Sequence, residues 1–543
     1  MRCHAPVNRL SRQPVGDGKR KKMGGYGARM VSFLYFCNVM KIFTSAQIHE
    51  LDKYTIEHEP ISSIDLMERA AKALTAAIAE ERTKLTPVIV LAGPGNNGGD
   101  ALAVARMLAD RGFSVKAYLF NIHAHLSADC AENKKRIEGD SRISLTEVST
   151  NFDPPKLTAD TLVVDGLFGS GLNKPLEGGF ASLVRYVNAS PCKVVSIDLP
   201  SGLMAEDNTL NNGQNIMRAD LTLTLQQKKL SMMLADNQQY IGRLQILNIR
   251  LSQEFVENTD TPFNIVEEAD IKRLLMPRHD FAHKGTMGHA LIVAGSYGMA
   301  GAAVLATRAC LRAGAGKVTV HTPRHNCDIL QIAVPEAVVQ LDSHEAYFTD
   351  HISVDGFNAL GIGPGLGRNE DSALALIEML RKAQCPAVVD ADALTLLGHH
   401  VAWMQMLPKG LVMTPHPKEF DMFTGSTASN DYERLDRARE MAVKTEGYII
   451  LKGHYSALCA PDGRVYFNST GNSGMATAGS GDTLTGILTA LLARGYSRLD
   501  ACLLGMYLHG VAGDIAAEVK GKESLIASDI TECLPMAFRR LES

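Results

Sequence analysis

Ala478-Gly479-Ser480-Gly481-Asp482-Thr483-Leu484-Thr485-Gly486 puts small residues, a lone carboxylate and hydroxyls at the head of an apolar run. That run, with Leu484, Ile487, Leu488, Leu491 and Leu492, has helical spacing. Glycines let a backbone approach a ligand closely, and the first N–H groups of a helix point outward unpaired, so such a terminus suits a phosphate. A carboxylate beside that phosphate could take a proton from an attacking hydroxyl. An ordinary Asp N-cap after a glycine-rich turn would look the same in isolation. The weight therefore falls on the rest of the chain.

Other loops carry comparable chemistry. Gly93-Pro94-Gly95-Asn96-Asn97-Gly98-Gly99-Asp100 follows the apolar run Pro87 to Ala92 and is neither a dinucleotide fingerprint nor a Walker loop. Its amides and acid offer oxygens to a cation or donors to a polar ligand. Asp165 ends the run before Gly166-Leu167-Phe168-Gly169-Ser170-Gly171-Leu172, and Asp198 ends the run before Leu199-Pro200-Ser201-Gly202. Both acids follow predicted strands, which puts them at the carboxyl edge of a sheet near Asn96 and Asn97, where open α/β sheets bind ligands. The second half repeats the pattern with His283-Lys284-Gly285, Gly295-Ser296, Gly361 to Gly367, Asp390-Ala391-Asp392, Thr414-Pro415-His416-Pro417-Lys418-Glu419 and Lys452-Gly453-His454-Tyr455-Ser456. A lone His416 reads as structural; the series together reads as a site.

The elements behind these loops alternate. Helices are predicted from Ser45 and Ser63, a strand over 87–92, a loop over 93–99, a helix over 100–108 and a strand over 114–120. Further strands are expected at 161–164, 194–197, 221–225 and 244–248. After the polar run Glu257 to Pro262, strands recur at 290–294, 317–321, 359–362, 387–389, 411–413, 448–451 and 456–459, with a helix over 303–311. Strand–loop–helix–strand units of this kind build parallel sheets. The expected organisation is an extension at 1–39, one α/β domain at 40–257 and a second at 258–543.

At 543 residues the chain has material for two or three cores, and with 55 basic against 59 acidic residues its net charge is −4. No bulk field points to nucleic acid or an anionic membrane. Aromatics make up 6% with a single Trp, which argues against stacking platforms for single strands. Ten cysteines without a C-x-x-C pair read as reduced core residues of a cytoplasmic protein. Lys19 to Lys22 followed by Val31 to Cys37 imitates an export signal, but the apolar stretch is short and no small-residue cleavage site follows. The reading is a disordered extension or a mis-assigned start, with the natural protein beginning at Met40.

GPGNNGGD, VDGLFGSGL and SIDLPSG resemble the epimerase domain of the YjeF family, and the motifs from 260 onward resemble the ribokinase-like NAD(P)HX dehydratase domain. The resemblance implies a Rossmann-like αβα sandwich followed by a ribokinase-like αβα domain. It implies repair of NADHX and NADPHX, the hydrated nicotinamide cofactors: exchange of their R and S forms by the first domain, then nucleotide-dependent dehydration of the S form by the second. Carried over residue by residue, substrate would meet Asn96, Asn97, Gly98, Gly99, Asp100, Gly169, Ser170, Gly171, Leu172, Asn173, Lys174 and Pro175 in the first domain, with Asp198 binding it and acting as acid/base. Potassium would sit on Asn97, Asp165 and Ser201. In the second domain Ala302, Gly365, His416 and Asp482 would contact the hydrated ring, and Lys452, Gly453, His454, Tyr455, Ser456 and Gly481 the adenine nucleotide. ADP is favoured over ATP, and magnesium is expected with it. The chain departs from the family pattern at Ala101 and Lys418, where relatives often have Gly, and at Ser456, where they often have Thr. A homo-oligomer is expected, its copy number open. The rival reading is a ribokinase-like small-molecule kinase with an N-terminal binding module, which would release a stable phosphorylated product instead of NADH and phosphate.

Overall fold

The apolar strand Val88–Ala92 and the strand Leu162–Gly166, apolar up to Asp165, pair side by side inside a seven-stranded parallel sheet. The computed structural model describes residues 40–80 and 82–543, so the expectation for 1–39 lies outside the described residues. The sheet runs in the order Ile143–Val148, Val115–Phe120, Val88–Ala92, Leu162–Gly166, Lys193–Ile197, Leu221–Leu225, Arg243–Leu247. Chain order therefore reverses between Val88–Ala92 and Leu162–Gly166, and the loops leaving those two strands flank a topological switch point. Alternate residues of the same strand bury on opposite faces. Val88, Val90 and Ala92 join Leu102 and Leu108 in one core; Ile89 and Leu91 join Leu183 and Val187 in another. Covering both faces removes the polar side a half-exposed strand would show, which is why these strands read as continuous apolar runs. Each fully buried leucine contributes roughly 1.5–3 kcal/mol through the water it sheds.

One local expectation is corrected here. The segment predicted as a loop to Gly99 is already helical from Asn96, the helix spanning Asn96–Asp110 with Gly95 as its N-cap. Gly98 and Gly99 permit this early start: a Cβ on Gly98 would stand 1.8 Å from the carbonyl oxygen of Gly93, and one on Gly99 2.8 Å from Met67 Sδ. Glycine is a poor helix former, so its tertiary fit outweighs its propensity.

The second sheet has eleven strands. Seven are parallel, in the order Val338–Leu341, Lys317–Thr322, His289–Val293, Ala359–Ile362, Ala387–Val389, Val412–Met413, Tyr448–Leu451. Its switch point lies between His289–Val293 and Ala359–Ile362. An antiparallel hairpin, Ala457–Cys459 and Val465–Asn468, extends the sheet, followed by Phe263–Val266 and then Met40–Ile42. Met40–Ile42 was expected with the first lobe; it hydrogen-bonds into the edge of the second, Met40 opposite Ile265.

The helix Ser480–Ala493 packs against Ala300–Arg312, with Gly486 so close that a Cβ there would reach 2.1 Å from Ala306 O. Among the described residues all eight cysteines are free and six are buried. No helix among them is long and apolar enough to cross a membrane. One trio, His321, Asp342 and Asp350, has metal-like spacing. The Asp342 carboxylate is already taken, accepting from His321 Nε2 at 3.0 Å and from the N–H groups of His344, Thr349 and Asp350. That trio anchors a loop.

Candidate functional site

The first site forms where the loops leaving Val88–Ala92, Leu162–Gly166 and Lys193–Ile197 converge. A Cβ on Gly169 would meet Asn97 Oδ1 at 2.9 Å and Asp198 Oδ2 at 3.3 Å, which places these three loops in mutual contact. The Ser170 N–H donates to Asp198 Oδ2 at 3.2 Å. Asp198 is buried and sits in the left-handed region at φ 64°, a strained conformation for a residue with a Cβ. Its carboxylate is held by the buried ammonium of Lys229, which also donates to Thr224 Oγ1 at 2.8 Å and to the carbonyls of Gln227 and Leu225. Burial opposes the charge on Asp198, but Lys229 and the surrounding donors prevail and hold its pKa below the ordinary value.

Two more carboxylates face this pair. Asp100 is buried with Oδ1 lacking a hydrogen-bond partner, and burial followed by repulsion from Asp198 and Asp52 drives its pKa well above the usual range. Asp52, on the helix Ser45–His58, is pushed up to about 6 by burial and Asp198, against the pull of Lys229 and His49. Thus one carboxylate is kept charged and two are driven toward the acid form, an arrangement suited to proton exchange beside a fixed negative charge.

Below them lies an oxygen cage. Asp165 is fully buried and accepts from Ser196 Oγ at 2.8 Å, Ser201 N at 2.9 Å and Ser201 Oγ at 2.5 Å. Among the described residues no basic side chain pairs with it. Burial raises its pKa despite these bonds. A buried carboxylate without a cationic partner, beside Ser201 Oγ, offers hard oxygen donors that fit a monovalent cation.

The second site collects around Lys452. Lys452 Nζ donates to Asp390 Oδ1 at 2.8 Å and lies 3.7 Å from Glu419 Oε2. Asp390 Oδ2 accepts from Thr485 Oγ1 at 2.8 Å, tying the loop after Ala387–Val389 to the helix that carries Asp482. Burial disfavours the Lys452 charge, but Asp390 and Glu419 outweigh it and raise its pKa. A Cβ on Gly481 would stand 3.2 Å from Lys452 Nζ and 3.5 Å from Asp390 Oδ2, so the glycine keeps the helix mouth open. Gly479, the N-cap, has φ 89°, and Asp482 occupies the third helical position. Asp482 is half-buried with no hydrogen bond from another described residue to its carboxylate, and burial followed by repulsion from Asp390 pushes its pKa up to about 6, against Lys452. A carboxylate near neutrality at a helix N-terminus can accept a proton while the N–H groups face an anion.

Other predicted residues find definite places. Gly365, at φ 58°, would touch Ala302 Cβ at 2.9 Å if it carried a Cβ, so these two distant positions adjoin. His416 caps the helix Pro417–Thr424 through Nδ1, and its Nε2 lies 3.3 Å from Glu419 Oε1. The turn 452–456 is closed on itself by Ser456 Oγ, which donates to Gly453 O at 3.1 Å. Gly171, Asn173 and Lys174 are exposed on a turn beyond Ser170, and no hydrogen bond among the described residues joins them to the Asp198 cluster. Asp52 and Lys229 were not anticipated: Asp52 lies inside a helix, Lys229 stands several residues past the strand Leu221–Leu225, and burial of a lysine leaves no local signal. Asp390 carried the signal shared by Asp165 and Asp198, an acid directly after an apolar strand.

The comparisons agree with this division. The family model described as YjeF-related protein N-terminus matches residues 63–231, and that described as NAD(P)H-hydrate dehydratase matches 290–536. The bifunctional NAD(P)H-hydrate repair enzyme Nnr of Moorella thermoacetica is 34% identical over 93% of this chain and 97% of its own. That of Thermofilum pendens is 32% identical over 92% and 97%. Among solved structures, the ADP/ATP-dependent NAD(P)H-hydrate dehydratase of Bacillus subtilis, co-crystallised with ATP and Mg2+, is 31% identical with a TM-score of 0.47, covering 51% of this chain and 98% of that one. With each half matched by its own family and more than nine-tenths of the chain matched by fused relatives, the chain is a member of the bifunctional NAD(P)H-hydrate repair enzymes.

Proposed function

We propose that the first site exchanges the R and S forms of hydrated NADH and NADPH, and that the second removes water from the S form at the expense of an adenine nucleotide, with ADP the favoured donor. The observation that carries this reading is the half-buried Asp482 carboxylate, held near neutrality between Lys452 and a helix N-terminus.

Hydroxide leaves carbon poorly. In the second site Asp482 takes the proton from the C6 hydroxyl as its oxygen attacks the terminal phosphorus of the nucleotide, while Gly481 and the neighbouring helix N–H groups face the transferred group. With ADP the leaving group is AMP. The ring nitrogen then expels phosphate from C6, and loss of the C5 proton restores the ring double bond. Lys452 supplies positive charge on the nucleotide side, and Asp390 fixes its position. Asp390, Asp392, Glu419 and Asp482 outnumber Lys452 around this pocket, an acid excess that fits magnesium, which would neutralise phosphate charge when bound.

In the first site the charged Asp198 stabilises the cationic ring formed when the C6 oxygen departs, and Asp52 and Asp100 are the proton carriers. Asp198, expected as the acid/base group, is kept ionised by Lys229, the form in which a carboxylate both accepts a proton and stabilises a cation. Potassium fits the Asn97, Asp165 and Ser201 oxygens and would balance the Asp165 charge, stiffening the loop that carries Gly169. The protein acts in the cytoplasm as a homo-oligomer.

The test is a coupled assay. Pure R isomer plus ADP should yield NADH and phosphate in equal amounts with the full chain. Asp198→Ala should slow R but not S consumption, and Asp482→Asn should abolish NADH formation from both. Accumulation of a stable phosphorylated product would instead identify a kinase.

A further inference from the structure

Consecutive residues of one first-lobe loop reach two different sites. Lys229 is buried against Asp198, Thr224 Oγ1 and two carbonyls. Lys228 points the other way, its Nζ 3.4 Å from Tyr455 Oη and 4.6 Å from the centre of the Tyr455 ring, across 227 residues of chain. Tyr455 belongs to the turn 452–456 of the second lobe, packs against that lobe's core and touches the His454 ring at 4.4 Å between centroids.

The loop bearing Lys228 is hydrogen-bonded into place. Gln226 sits at φ 59°, its N–H bonds to Leu247 O at 2.8 Å, and its side-chain Oε1 accepts from Ile249 N at 3.0 Å. Lys229 pins the next turn. Lys228 therefore presents its ammonium over the phenol ring to a turn that Ser456 closes from within. Lys228 and Lys522 both bear on His454, with Asp514 opposing them, and Glu267 faces Lys228 from the second lobe. Among the described residues no carboxylate forms an ion pair with Lys228 or Lys522. Neither ammonium is held by a carboxylate, which leaves both open to an anionic ligand.

We propose that Lys228 is a positioning residue for the nucleotide: the first lobe clamps Tyr455 and so holds the 452–456 turn in the form that takes the adenine nucleotide. The inference rests on the reading of 452–456 as the nucleotide turn. A cation over an aromatic face stabilises its geometry, more so when partly desolvated.

ADP binding to the full chain, by titration calorimetry, and steady-state dehydration kinetics test it in wild type, Lys228→Met, Lys228→Arg, Tyr455→Leu, the Lys228→Met/Tyr455→Leu double variant and Lys452→Ala. Lys228→Met should weaken ADP binding about five- to tenfold and raise the KM for ADP alike. The KM for hydrated NADH should stay within about twofold, a split that general loosening of the fold would not produce. Lys228→Arg should restore affinity, and the double variant should bind ADP no worse than Tyr455→Leu alone. Wild-type affinity in Lys228→Met, with affinity lost in Lys452→Ala, would overturn the clamp and leave the nucleotide turn standing. Unchanged affinity in both variants would overturn the turn and the clamp together. A full additional loss in the double variant would show that Lys228 does not act through Tyr455, which also overturns it.

Discussion

Lys452 Nζ lies 2.8 Å from Asp390 Oδ1, and the other oxygen of that carboxylate accepts from Thr485 at 2.8 Å, so one buried acid links the nucleotide turn to the helix of the proposed base. Asp390 also repels Asp482 and is the largest charge raising its pKa to about 6. A base must be ionised to accept a proton, so kcat/KM for dehydration should be flat above pH 6 and fall about tenfold per unit below it. Asp390→Asn removes a negative charge, lowers the Asp482 pKa and should move this limb to lower pH. A pH–rate profile of both proteins checks the sign.

Asp482→Asn keeps the shape of the helix mouth but cannot take a proton. Turnover should fall by about two to four orders of magnitude, while calorimetry still detects ADP binding. Near-normal turnover in this variant is incompatible with the proposed role.

Lys229→Met leaves the Asp198 carboxylate buried without its cation. Breaking a buried pair from one side costs roughly 3–5 kcal/mol, so urea unfolding of the first lobe should shift to clearly lower concentration. Adding Asp198→Asn should recover much of that loss without recovering isomer exchange. Full stability in the single variant would contradict the burial.

Gly169→Ala tests convergence of the loops directly. The added Cβ would stand 2.9 Å from Asn97 Oδ1 and 3.3 Å from Asp198 Oδ2, closer than such contacts normally come. Isomer exchange should drop at least about tenfold, as expected for misplacement of a substrate group by an ångström or less, while ADP-dependent dehydration of pure S isomer continues.

Asp165→Asn removes the buried charge that potassium would balance. Potassium should raise the thermal unfolding midpoint of the wild type and leave that of the variant unmoved. Equal shifts in both proteins would place the ion elsewhere.

The strand runs, the glycine-rich loops and the acids that end strands were legible because each is a local pattern: apolar periodicity, turn residues and a carboxylate one step later. Asp165, Asp198 and Asp390 all carried that mark. The helical start at Asn96 was not legible, because glycines forbid it by propensity and only their close packing on Gly93 and Met67 permits it. Nor was the capture of Met40–Ile42 by the second sheet, a pairing across more than two hundred residues.

By itself the amino-acid sequence determined the two parallel-sheet lobes, the loops at their carboxyl edges and the oxygen-, amide- and carboxylate-bearing residues placed there. Tertiary structure alone decided the charge state of those acids and which lobe completes which site. Ionisation depends on burial and on charges brought from distant segments: Lys229 keeps Asp198 ionised, while Asp390 and Lys452 compete over Asp482. Lys228 meets Tyr455 for the same reason, through a contact that no stretch of neighbouring residues encodes.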